Sequence, residues 1–186
     1  MSTTIHHLQA SLTVADLLPL RAGDEVRLNG QLYVARDAAH QRMAALLAAG
    51  EPLPFDPAGQ IIYYMGPTPP QPGQVVGSAG PTTSGRVDRY TPALLAAGIK
   101  ATVGKGFRSL EVRAAMVQQQ AVYLAAIGGT GALISQSIIA CEVIAWPELG
   151  TEALQRLTVR DFLCFVVNDL LGNDLYEQGK AAFAAP

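Results

Sequence analysis

The spacing of apolar and polar positions changes several times along the chain, and each change marks an element. Residues 1–22 read as a polar lead-in, with a short helix predicted around Val14 to Leu20. Glu25 to Ala35, EVRLNGQLYVA, alternates apolar and polar residues on both sides of Asn29-Gly30. Asn-Gly favours a two-residue turn, so this stretch predicts a hairpin. Asp37 stands where a helix cap belongs, with Ala38 to Ala49 as the helix and Gly50 as its stop. QIIYYMG predicts a short buried strand. Gly66 to Gly80 is so rich in proline and glycine that no regular element can run through it. It reads as a long ordered loop, because it leads straight into a second unusual segment.

From Val87 onward the pattern is regular. Val87 to Ala97 predicts a helix closed by Gly98, and IKATV a strand. Ser109 to Gln120 predicts a helix with Glu111 in its first turn, and AVYLAAI the next strand. Thr130 to Ile139 predicts a helix and CEVIAW a strand. After the turn at Pro147-Glu148-Leu149-Gly150, a short helical piece leads to DFLCFVVND, a last buried strand. Strand, glycine turn and helix repeat, which predicts an α/β fold with a mixed sheet, and residues 1–186 read as one domain.

Composition narrows the function. The chain is 49% hydrophobic and 15% charged, more apolar than a small monomer requires, so a partner surface is expected. The net charge of −2 and the absence of a basic face argue against nucleic acid. No uninterrupted apolar stretch is long enough for a bilayer, and the first ten residues lack a signal pattern. A cytoplasmic protein without a membrane segment is the expectation. Cys141 and Cys164 lie in apolar strand-like runs and read as buried free thiols. Two cysteines fall short of the three or four ligands of a zinc site or iron–sulfur cluster, so any such group needs another polypeptide.

Three glycine-bounded segments place cations or hydroxyls at predicted strand ends, where open α/β sheets bind ligands. In Arg36-Asp37-Ala38-Ala39-His40, Arg36 can fork onto a carboxylate and His40 can relay a proton. A surface arginine and a solvated histidine is the competing reading. In Gly80-Pro81-Thr82-Thr83-Ser84-Gly85-Arg86, three hydroxyls and an arginine precede a helix, more than an N-cap needs, and favour an anion. In Val103-Gly104-Lys105-Gly106, one of only three lysines is pinned between glycines, free to point into a cleft. Gly128-Gly129-Thr130-Gly131 lacks the Gly-Lys-Ser/Thr ending of a phosphate loop and reads as a tight structural turn. Arg113, on a later helix, reads as solvated.

RDAAH, GPTTSGRVD, VGKG, WPELG and FVVNDLLGND, in this order from about Leu20 to about Asp174, resemble the signature stretches of class I, iron–sulfur-dependent fumarases and L(+)-tartrate dehydratase β subunits. The resemblance implies a swivelling β/β/α domain. It implies a partner α subunit, or fused domain, whose three cysteines hold a [4Fe–4S] cluster with one open iron acting as Lewis acid. A hetero-oligomer of the (αβ)2 kind, inactive as this chain alone, follows from it. By motif, Arg36, Arg86 and Lys105 correspond to substrate-carboxylate binders. Thr82, with Thr83 beside it, corresponds to a proton-handling threonine, and His40 to a competing active-site histidine. The implied reaction is the reversible hydration/dehydration that interconverts a hydroxydicarboxylate and its unsaturated partner. Fumarate and (S)-malate are favoured by Asp88 and the proline of WPELG, with L(+)-tartrate or a methylated malate as alternatives. A non-catalytic anion-binding module is the reading from another class.

Overall fold

Apolar residues at every second position build a sheet that is covered on both faces. The computed structural model describes residues 4–184. In chain order the first half contains β1 (Ile5–Gln9), α1 (Val14–Leu17), β2 (Glu25–Val34), α2 (Asp37–Ala48), β3 (Ile61–Tyr63), β4 (Met65–Pro67) and β5 (Ala79–Pro81). A 3-10 turn (Ser84–Val87), α3 (Thr91–Ala96), β6 (Ala101–Gly104), α4 (Leu110–Gln119) and β7 (Val122–Ala125) follow. The chain continues with α5 (Gly131–Ser135), β8 (Ile138–Ala145), a 3-10 turn (Pro147–Glu152), β9 (Leu154–Asn168) and α6 (Leu175–Phe183).

The main sheet runs β1-β2-β3-β6-β7-β9-β8, and β9 also pairs with β2. The strands β2, β3, β6, β7 and β9 therefore close into a ring, with β1 and β8 added outside it. Neighbours from β2 to β7 are parallel, and β9 runs against them. The mixed α/β fold expected from the sequence is thus present. Alternation sorts the side chains by face. Val26, Leu28, Leu32, Val34, Ile61, Tyr63, Val103, Leu124, Phe162 and Val166 form one cluster inside the ring. Tyr33, Ile62, Tyr64, Tyr123 and Val167 point outward, against Met43, Leu94, Leu95, Val112 and Met116 of the helices.

Several local expectations are corrected. Asn29-Gly30 makes no hairpin. Val26, Leu28, Leu32 and Val34 keep one phase across it, so β2 continues. The irregularity lies in β9 instead: Leu28 pairs with Phe162 and Gly30 with Val159, so Arg160 and Asp161 bulge. Asp161 has φ 51° and its N–H donates to Asn29 Oδ1 at 3.0 Å. At Gly30, φ is 97° and a Cβ would lie 2.5 Å from Gln9 Nε2. The Asn-Gly pair thus serves a bulge and a close strand approach.

The predicted helix over Thr130 to Ile139 ends at Ser135, where the β-branched pair Ile138-Ile139 joins β8. The piece after Gly150 is extended from Leu154, so β9 is 15 residues long. The helix predicted from Val87 to Ala97 is a 3-10 turn followed by a short helix from Thr91. The lead-in contains β1, an edge strand with only Leu8 buried. Asp37 does not cap its helix: the Ala38 N–H donates to Glu152 Oε2 at 2.8 Å. Arg113 is not solvated, because it pairs with Glu177 at 2.6 Å and with Asp174 at 3.5 Å, joining α4 to α6. Cys164 is fully buried, but Cys141, on β8, is only half buried. No described helix is long and apolar enough to cross a membrane.

Candidate functional site

The parallel strands β2, β3, β6 and β7 end at Val34, Tyr63, Gly104 and Ala125, all at one end of the ring. The three cation-bearing segments emerge there. Backbone bonds join two of them. The Thr82 N–H and hydroxyl both donate to the Tyr64 carbonyl, at 2.7 and 3.1 Å. The Lys105 N–H donates to the Thr82 carbonyl at 3.1 Å, and the Ser84 N–H to the Lys105 carbonyl at 2.9 Å. Thr83 and Lys105 are therefore bridged side by side, in parallel. Glycine at 104 permits this approach, since a Cβ there would collide with Ser84 Oγ and lie 2.8 Å from Tyr64 Cδ2. The turn at Gly128 closes the other flank, its Cβ position 3.6 Å from Lys105 Cδ.

The charges differ in how they are held. Lys105 is exposed, and its ammonium makes no ion pair or hydrogen bond among the described residues. Arg86 is half exposed and pairs with Asp37 at 3.0 Å. Arg36 is more enclosed, 3.6 Å from Glu152. Asp37 follows Arg36 directly, so the Arg86–Asp37 pair brings both arginines to the start of α2. Thr83 is exposed and Thr82 half buried. The structure thus brings the segments that carry Arg36, Thr82, Thr83, Arg86 and Lys105 together at one end of the ring.

His40 is held differently. It is fully buried in the first turns of α2, edge-on to Tyr64 with ring centroids 5.3 Å apart. Its Nδ1 lies 2.8 Å from the Arg36 carbonyl. A carbonyl only accepts, so Nδ1 carries the proton and Nε2 the lone pair. Nε2 is buried without a partner among the described residues. Burial pushes the imidazole pKa down to about 4, opposed by the Arg36 carbonyl and reinforced by the charge of Arg108. His40 is accordingly neutral near pH 7.

Sequence reasoning passed over three residues. Asp37 was read as a cap and instead holds Arg86. Glu152, unremarked after the WPELG turn, holds both Arg36 and the Ala38 amide in the first turn of α2. Arg108, inside the VGKGFRS stretch, has a side chain with 0% exposure. No spacing signals such a residue, because a buried and an exposed arginine look alike in a sequence.

Among the described residues no three His, Cys, Asp or Glu side chains are grouped to hold a metal ion. Cys164 lies inside the ring and Cys141 on its outer strand, so the residues present do not fit an iron–sulfur cluster. A cleft of about 700 Å3 lies between Arg21–Asp24 and α6, and one of about 330 Å3 between α2 and Trp146, both away from Lys105. With Lys105 exposed and Arg86 half exposed, the carboxyl end of the ring is an open face, which leaves water free to reach them.

The family described as the fumarase C-terminus matches residues 2–179. "Fumarate hydratase 2" of Leishmania major is 42% identical over 161 residues, 86% of this chain and 28% of that protein. "Fumarate hydratase class I, aerobic" of Escherichia coli K12 is 38% identical over 167 residues, 89% of this chain and 30% of its own length. The chain therefore spans less than a third of these two relatives. A Methanocaldococcus jannaschii protein provisionally named L(+)-tartrate dehydratase subunit beta is 38% identical over 173 residues, covering 90% of this chain and 89% of its own. With nearly the whole chain matched, the protein belongs to the fumarase C-terminus family.

Proposed function

We propose that this chain is the β-type part of a hydro-lyase that adds water to, or removes it from, a small dicarboxylate, with fumarate and (S)-malate as the favoured pair. The observation that supports it best is the open face itself. The segments that carry three cations and two threonines meet where parallel strands end, with Lys105 unpaired among the described residues. An anion is the ligand such a face suits. Adding water across a double bond beside a carboxylate builds negative charge on that carboxylate, and cations already in place lower the barrier. Arg36 and Arg86 exchange Glu152 and Asp37 for substrate oxygens, and Lys105 supplies a point charge. Thr82 is the group placed to handle the proton at the neighbouring carbon. Its half-buried hydroxyl, bonded to the Tyr64 carbonyl, lies at that end of the ring, while His40 is closed off and neutral. The charges of Arg86 and Lys105 favour a negative form of that hydroxyl, which is otherwise a poor base.

The remaining requirement is enclosure. A charged face exposed to water stabilises little, and a second surface must exclude solvent. We assign that surface to a partner α subunit in a hetero-oligomer of the (αβ)2 kind, which also holds the [4Fe–4S] cluster that this chain's cysteines do not fit. The cluster, when bound there, supplies Lewis-acid chemistry. The relative named for tartrate dehydratase is matched over nearly its whole length, so L(+)-tartrate is the second substrate candidate. The test is anaerobic assay of fumarate, malate and L(+)-tartrate with the full chain alone and with the iron–sulfur polypeptide that copurifies with it. Turnover only in the complex supports the reading. Micromolar dicarboxylate binding by the chain alone, with no turnover in the complex, would point to an anion-binding module instead.

A further inference from the structure

Arg108 follows Lys105 by three residues, yet its side chain turns away from solvent altogether, with 0% exposure. Its guanidinium lies between two rings, 5.4 Å from the centroid of Tyr64 and 5.3 Å from that of Tyr123. Nη2 donates to Thr91 Oγ1 at 2.7 Å and Nη1 to the Ser84 carbonyl at 3.4 Å. Nε lies 3.1 Å from Asp88 Oδ1, a charge contact without hydrogen-bond alignment. Asp88 Oδ2 in turn accepts the Ser109 N–H at 2.7 Å. Ser84, Asp88 and Thr91 all belong to the segment that follows Thr82 and Thr83. One buried side chain thus reaches from the Lys105 loop to three points on the hydroxyl-and-arginine loop.

A second link runs parallel to it. Ser84 Oγ donates to Tyr123 Oη, and Tyr123 Oη donates to the Gly106 carbonyl, both at 2.9 Å. Burying a guanidinium sacrifices its hydration, and apolar side chains often fill such a space at least as stably. A charge at this place is therefore a poor device for stability alone. What it offers is a fixed fork, with directional donors set by a planar group.

We propose that Arg108 is a positioning residue for the candidate site, holding Thr82, Thr83 and Arg86 in fixed register with Lys105. It touches none of the reacting atoms. Its effect runs through the two bonds that join the loops, from Lys105 N–H to the Thr82 carbonyl and from Ser84 N–H to the Lys105 carbonyl. Lysine at this position keeps the charge but loses the fork, so it separates the two roles.

The test is Arg108→Lys, read in two ways. In the full chain, amide hydrogen exchange at Ser84 and Lys105 is expected to speed by about tenfold or more, while the Val166 amide, bonded to the Asp24 carbonyl, is unchanged. In the assembled enzyme, which rests on the hydro-lyase reading, kcat/KM is expected to fall about a hundredfold through both lower kcat and higher KM. In a Lys105→Ala background the same change is expected to cost much less, because both act on one arrangement. A merely structural Arg108 gives the opposite result: a lower melting temperature, with wild-type kcat/KM and wild-type exchange at Ser84 and Lys105 below it. Should Arg108→Lys not fold, Thr91→Val removes one acceptor of the fork and is expected to show both effects at smaller size. Wild-type exchange and kinetics in that variant would overturn the proposal. If the wild-type complex hydrates nothing, the hydro-lyase reading fails, and the exchange measurement still decides the role of Arg108.

Discussion

The inside of the strand ring and the loops at its carboxyl end follow opposite rules. Inside, Val26, Leu28, Val103, Leu124, Phe162 and Val166 leave no polar side chain in need of a partner. At the rim, Arg36, Arg86 and Lys105 bring three positive charges to one end of the ring, and among the described residues Glu152 and Asp37 pair with two of them. The interior follows close packing and apolar burial, which favour folding. The rim keeps like charges near one another, which opposes folding and suits an anion. A region that costs stability and is nevertheless fixed by backbone bonds points to function.

If the comparison holds, changes in the two regions separate cleanly. The largest stability loss is expected for Phe162→Ala, about 3–5 kcal/mol from lost burial and the cavity left in the ring. Chemical denaturation of the full chain measures it. If the variant folds, its cationic face keeps its arrangement. Conversely, Arg86→Ala and Lys105→Ala are each expected to cost about 2–5 kcal/mol of transition-state stabilisation in the assembled enzyme. That corresponds to tens to thousands of fold in kcat/KM, with melting temperature nearly unchanged. Arg86→Lys is expected not to restore activity, because a point charge does not fork onto a carboxylate. Wild-type kinetics in the alanine variants, or failure of both to fold, would erase the distinction between rim and interior.

His40 sits at the boundary and tests it by pH. Its folded pKa of about 4 lies below the ordinary 6.5, so between these values the unfolded chain binds the extra proton. Stability is therefore expected to fall as pH drops from about 6.5 toward about 4, by no more than about 3 kcal/mol. A melting series across that window measures the slope, and His40→Gln is expected to flatten it. An equal slope in the variant would assign the acid sensitivity elsewhere. Smaller still is Cys164→Ser, expected to cost about 1–3 kcal/mol because a hydroxyl replaces a thiol inside the ring. It is expected to leave the iron content of the assembled complex unchanged, as is Cys141→Ser.

The same division explains what the sequence made legible. Alternation and glycine punctuation expose the α/β order, since the buried strands at Ile61 and Val122 and the helix after Ser109 repeat their periods openly. Asn29-Gly30 carries the local signal of a turn, because the positive φ of glycine serves a hairpin and a strand facing a bulge alike. Only the partner strand, with Asp161 opposite, decides between them. The edge strand β1 escaped for lack of apolar residues. At the site, glycine-bounded cations and hydroxyls were visible by type and motif. Their partners Asp37 and Glu152, and the burial of Arg108 and His40, depend on contacts between segments far apart in the chain.

The most direct measurement compares fumarate hydration by the anaerobically assembled complex containing wild-type chain with the same complex containing Lys105→Ala, beside each chain alone. The account expects turnover in the wild-type complex, a fall of tens to thousands of fold in kcat/KM in the variant complex, and none from either chain alone. Equal turnover in the two complexes, or turnover by the isolated chain, would contradict the claim that this protein supplies the cationic half of a shared site.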